Sequence, residues 1–306
     1  MLSALEKSIF QTLAFFASLE HPLTLLEIHN WLIRSEESQP PASFKEIEKT
    51  IEVLGDRIAG QNGLYTLPGN EQFFTNRHFT YINSLKLFKK AIQFGSGMRH
   101  LPFVRGAALA GSVTWTNSSE QSDIDIFIIT EPGRIFLARL FVSAYFQIFG
   151  GRRHGNKIKD RFCLNHYVCS GKFFEKDRNI YTALIYANHT PIFGEEEFEK
   201  LWKKNIGWMK RFLLQPQFPS SHEFDYAKSR GSRVQKITET LSQPVAPALE
   251  KISAYFQRRR IQQGPYVSVA QDELSFHPDS KGQRALAKYQ QVLEECWIQP
   301  SNVNPD

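Results

Sequence analysis

The eight residues from Asp123 to Thr130, DIDIFIIT, constrain this chain more than any other stretch, because they are too apolar for a loop yet carry two carboxylates. Side chains alternate faces along a strand, so Asp123 and Asp125 project from one side while Ile124 and Ile126 enter a core. Two like charges held that close raise each other's pKa and are costly unless compensated. The usual compensation is a divalent cation, and hard oxygen donors of this kind suit Mg²⁺ or Mn²⁺. An edge strand whose aspartates merely face water is the alternative, although a run this apolar fits a central strand better.

A second apolar strand, LPFVRGAALAGS, precedes it and ends on Ala110, Gly111 and Ser112. Glycine at that point lets the backbone approach a phosphate closely, and the Ser112 hydroxyl can donate to phosphate oxygens. Pro132-Gly133 then turns the chain into a helix over 134–149, and a basic loop, GGRRHGNKIKDR, leads to a third strand, RFCLNHYV. With a helix expected over 79–94, the order helix, strand, strand, helix, strand predicts a compact α+β core over 79–174.

Residues 1–78 predict a separate small domain. Three helices are followed by a hairpin, RIAGQ and LYTL, closed by Asn62-Gly63, a dipeptide that tolerates positive φ. Capping boxes at Thr24/Glu27 and Ser43/Glu46 mark two of the helix starts. This order resembles a winged helix. Its third helix, SFKEIEKTIEVLGDR, mixes Lys45 and Lys49 with Glu46, Glu48 and Glu52, so a protein-docking role is as well supported as DNA binding. Residues 175–306 read as a basic, mainly helical region. DRNIYTALIYANHTPIFG is expected to be helical up to Gly194, QPQFPSS at 215–221 to be a linker, and YVSVAQDELSFHP to be a short hairpin.

Ala110-Gly111-Ser112, ten residues, then Asp123-Ile124-Asp125-Ile126 resembles the active-site signature of the DNA polymerase β-like nucleotidyltransferase superfamily, with Ser122 before the first aspartate completing the SDID form. The layout as a whole is similar to bacterial nucleotidyltransferase-domain proteins with an N-terminal winged helix. The resemblance implies transfer of a nucleoside monophosphate from an NTP to an acceptor hydroxyl, with release of pyrophosphate. Asp123 and Asp125 would hold Mg²⁺ or Mn²⁺, while Gly111, Ser112 and Ser122 would meet the NTP phosphates. Active members carry a third carboxylate on a later strand. The strand RFCLNHYV has none: Asn165 stands where it is expected, His166 follows, and Asp160 lies just before the strand. A site that binds nucleotide without turnover, in a winged-helix regulator or an antitoxin-like interaction protein, is the competing expectation.

The net charge of +6 is local, since Lys200 to Arg260 holds thirteen Lys or Arg against Glu223, Asp225, Glu239 and Glu250. That segment and the winged helix are the candidates for contact with nucleic acid. Arg152, Arg153, Lys157, Lys159 and Arg105 are candidates for neutralising a triphosphate, and Trp115 for stacking on a base. Three cysteines without ligand spacing, and no signal-like N-terminus, predict free thiols and a cytoplasmic location. The most apolar helix, 134–150, is shorter than the roughly 20 residues of a span and contains Arg139, so no membrane partner is expected.

Overall fold

The computed structural model describes residues 2–153, 155, 157–172, 175, 177–218, 232–261, 267–276 and 281–295. The chain is mixed α+β. It begins with α1 (Ala4–Ser18), β1 (Leu23–Thr24), α2 (Leu25–Asn30), α3 (Phe44–Leu54), β2 (Ala59–Gln61) and β3 (Leu64–Thr66). Capping boxes start all three of these helices: Thr24 with Glu27, Ser43 with Glu46, and also Ser3 with Glu6. Asn62 and Gly63 both take positive φ and close the β2–β3 hairpin, to which β1 adds a third antiparallel strand.

The long helix α4 (Gln72–Gly95) leads to β4 (Val104–Ala110), β5 (Ile124–Thr130), α5 (Ile135–Ile148) and β6 (Phe162–Cys169). Then come α6 (Ile180–Ala187), β7 (Thr190–Phe193), α7 (Glu195–Phe212), α8 (Arg233–Ser242), α9 (Ala246–Arg260), β8 (Val267–Val269), β9 (Glu273–Phe276) and α10 (Lys281–Glu295). Six of these strands form one mixed sheet in the order β7-β4-β5-β6-β9-β8, in which only β5 and β6 run parallel. A parallel pair needs a crossover, and α5 provides it.

Both faces of this sheet are covered. Ile124, Ile126 and Ile128 lie in one core with Leu87, Phe136 and Val142, whereas Phe127 and Ile129 lie in the other with Leu184, Phe198 and residues of α1 and α10. The strand alternation read at Asp123–Asp125 therefore holds, with apolar layers on both sides. The segments assigned to 79–174 and 175–306 share the one sheet: β7 forms one edge, and the β8–β9 hairpin extends the other beyond β6. Tyr289 of α10 packs edge-on against Phe15 of α1, so the last helix lies on the N-terminal layer.

The stretch expected as one helix up to Gly194 breaks in two. Asn188 closes α6, its Nδ2 donating to the Leu184 carbonyl at 2.8 Å. Pro191 cannot continue a helix and sits instead in β7, an edge strand where a missing N–H is tolerated. Gly194, at φ +73°, begins α7 rather than ending α6. Of the expected linker 215–221, residues 219–221 lie outside the described residues, as does Cys296.

Candidate functional site

The end of β4 and the start of β5 lie side by side, with Ala110 opposite Asp125. Immediately after β4 the chain enters a single tight turn, Gly111–Val113, held by Thr114, whose Oγ1 donates to the Gly111 carbonyl at 2.8 Å. Gly111 sits at φ +69°, and a Cβ built there would stand 3.1 Å from Oδ2 of Asp125. Glycine is thus required twice, by the backbone conformation and by the carboxylate against it. Ser112 Oγ lies 3.2 Å from Ser118 Oγ, and Ser122 Oγ lies 3.2 Å from Ser119 Oγ, so both predicted phosphate-binding hydroxyls belong to the polar loop bridging the two strands.

Asp123 is buried and Asp125 partly so. Across the parallel pairing, Asp125 faces Cys163 of β6. One donor atom from each of Asp123, Asp125 and Cys163 falls within 4.8 Å of the others. Arg153 supplies the nearby positive charge, donating to Oδ2 of Asp123 and, from the same nitrogen, to Cys163 Sγ at 3.5 Å. Burial pushes the Cys163 thiol far above its usual pKa, and the two carboxylates push it further, with Arg153 acting in the opposite direction. Tyr181 of α6 is likewise pushed up, by burial and by the charge of Asp125. Two carboxylates and a sulfur so arranged form a donor set that can hold a cation, with the oxygens suiting Mg²⁺ or Mn²⁺ and the sulfur a softer ion such as Zn²⁺.

Cys163 is the residue that sequence reasoning missed. The strand RFCLNHYV carries no carboxylate, and cysteine spacing alone marks no ligand; the signal is the position of Cys163 next to Asp125 once the strands are paired. The register slips between Asp125 and Phe127, where one residue of β5, Ile126, opposes two of β6, Leu164 and Asn165. Asn165 falls in this bulge, and its side chain lies outside the described residues. His166 is brought level with Phe127, its ring 4.5 Å from that phenyl ring and its Nε2 3.5 Å from Glu273 Oε1. Asp160 is not in the cluster. It lines a neighbouring depression with Lys86, Lys90, Glu120 and Lys159, and its carbonyl accepts from Lys90 Nζ at 2.7 Å.

Among the remaining candidates, Lys159 forms an exposed pair with Glu120 at 3.7 Å. Arg105 is corrected to a structural role at the other end of β4, where it holds Glu131 at 2.7 Å and Glu239 at 2.8 Å. Trp115 is buried against Phe16 and Tyr181, ring centroids 6.1 and 5.8 Å away, and so packs rather than presenting a face to a base.

No protein-family model, curated protein or solved structure matches the chain. Among the described residues no helix is long and apolar enough to cross a membrane.

Proposed function

We propose that the chain is a polymerase β-like nucleotidyltransferase, built from a winged helix, a nucleotidyltransferase core and a C-terminal region, that moves a nucleoside monophosphate from an NTP to an acceptor hydroxyl. One observation carries the reading: Gly111 lies directly against the Asp125 carboxylate, so the Gly-Ser turn and the aspartate pair form one cradle although ten residues separate them in sequence. An acidic pair, one member buried and the other partly so, costs more beside that turn than an apolar pair would, which is explicable by a ligand.

Asp123 and Asp125 would hold the divalent cation, with Cys163 beside them. When bound, such a cation supplies charge neutralisation at the triphosphate and at the leaving pyrophosphate. Gly111 leaves room for the phosphate oxygens and Ser112 donates to them. The acceptor oxygen attacks the α-phosphorus, and the bond to the bridging oxygen of pyrophosphate breaks. With both aspartates committed to the cation and no third carboxylate in the cluster, the hydroxyl proton passes to water. Nucleotide binding without turnover is the second reading, favoured by a cluster that the Cys163 thiol completes in place of a third carboxylate.

The test is incubation of the whole chain with each labelled NTP, Mg²⁺ or Mn²⁺, and RNA, protein and small-molecule acceptors, beside the Asp123→Ala/Asp125→Ala variant. Label transfer that the double substitution abolishes supports the enzyme. Transfer that survives it contradicts the mechanism, and cation-dependent NTP binding with no transfer to any acceptor supports the second reading.

A further inference from the structure

Among the described residues, a run of exposed apolar side chains lies on α8 and α9. Val234, Ile237 and Leu241 follow one another at spacings of three and four on α8, and Leu249, Ile252 and Phe256 do so on α9. Val245 continues the spacing across the joint, where Gln243 and Val245 keep helical backbone angles. A period of three and four draws a straight stripe along a helix. All seven side chains are exposed, Leu241 at 76 % and Ile237 at 59 %. A continuous stripe of this kind marks a contact surface, unlike the scattered leucines of an ordinary exterior.

The charges around the stripe are of one sign. From 232 to 261 the chain carries six Lys or Arg, namely Arg233, Lys236, Lys251, Arg258, Arg259 and Arg260, and every one is exposed. The two acids of the same segment are turned inward. Glu239 accepts from Arg105 and from the Phe103 N–H, and Glu250 accepts from the N–H groups of Phe136 and Leu137 at the start of α5. Beside α9, a depression of about 600 Å³ is lined by Phe136, Tyr255, Lys251, Arg258 and Arg259, and by Glu250, whose carboxylate is taken up by the Phe136 and Leu137 N–H groups, so its charge is net positive.

We propose that this face docks on an anionic lipid bilayer, with the stripe entering the headgroup boundary and the basic depression receiving a lipid phosphate. An apolar ridge flanked by Arg and Lys on a helix that lies along the surface is the pattern that binds such interfaces. A second copy of the chain would bring like charges together. A nucleic-acid backbone would use the arginines but leave the stripe in water. The expectation of no membrane partner concerned a spanning helix; this contact lies on the surface and needs none.

The experiment is co-sedimentation of the full chain with vesicles of phosphatidylserine and phosphatidylcholine, against vesicles of phosphatidylcholine alone. The mixed vesicles should bind about tenfold or more tightly, and added salt should weaken binding. Leu241→Glu/Ile252→Glu should abolish it, and Arg259→Glu/Arg260→Glu should weaken it about tenfold or more. All four positions are exposed, so circular dichroism and melting serve as the control for folding. The proposal falls if the wild type stays in the supernatant, or if both variants sediment like it. It also falls if Leu241→Glu/Ile252→Glu turns a soluble dimer into a monomer, or if duplex DNA competes the chain off vesicles while still binding that variant.

Discussion

Strand β4 has a cluster of charged side chains at each of its ends, handled in opposite ways. At its start, Arg105 reaches Glu131 and makes a two-pronged contact with Glu239, which also accepts the Phe103 N–H. Every acceptor there faces a donor. Beyond its far end, donor atoms of Asp123, Asp125 and Cys163 crowd within 4.8 Å of one another, with Arg153 on Asp123 and Cys163. There a single guanidinium serves both Asp123 and Cys163, and a second carboxylate stands in the same cluster. The first arrangement stabilises the chain; the second costs stability and is explicable by what it can bind.

Each end also relies on a glycine. Gly194, at φ +73°, passes so close to β4 that a Cβ would lie 2.3 Å from the Arg105 carbonyl oxygen. Gly194→Val should therefore give the largest effect, about 4 kcal/mol of destabilisation or failure to fold, read from urea unfolding. Gly111→Ala should cost only about 1 kcal/mol in stability while weakening cation binding, because its obstruction is a side-chain oxygen.

Between the two ends, His189 is buried against Phe127 at 4.5 Å, and neither ring nitrogen has a hydrogen-bond partner among the described residues. Burial, aided by the charge of His166, lowers its pKa to about 3. A histidine whose folded pKa lies below its unfolded value of about 6.5 contributes stability that is complete above that value. It is lost as the pH falls from about 6.5 toward 3. Melting followed between neutral and acid pH should show the wild type losing more than His189→Phe. Equal losses would place the acid sensitivity elsewhere.

Arg105→Ala should destabilise by about 2 kcal/mol, since it strips two carboxylates of their partner at once. The smallest change is expected at the other end. Asp123→Asn should leave stability within about 1 kcal/mol of wild type, or raise it, because one of two crowded carboxylates is neutralised. A large loss there would erase the contrast between the two ends.

What could be read from sequence was local. Gly111-Ser112, the Asp123–Asp125 alternation, two capping boxes and the Asn62-Gly63 turn each rest on residues within about a dozen positions of one another, and each is present. Pairings between distant segments were not legible. Arg105 meets Glu239 across 134 residues, β9 joins β6 from more than a hundred residues away, and Cys163 reaches Asp125 only through a parallel register interrupted by a bulge. No periodicity or spacing encodes such neighbours. The break between α6 and β7 was written in Asn188 and Pro191 but was outweighed by the apolar run before them.

The central claim is that the crowded end of β4 exists to hold a cation, and calorimetric titration of Mn²⁺ into the whole chain, beside Asp123→Asn/Asp125→Asn, tests it most directly. The wild type should bind saturably and melt at a higher temperature with Mn²⁺, and the variant should show neither effect. A wild type that binds no Mn²⁺, or a variant that binds it equally well, would contradict it.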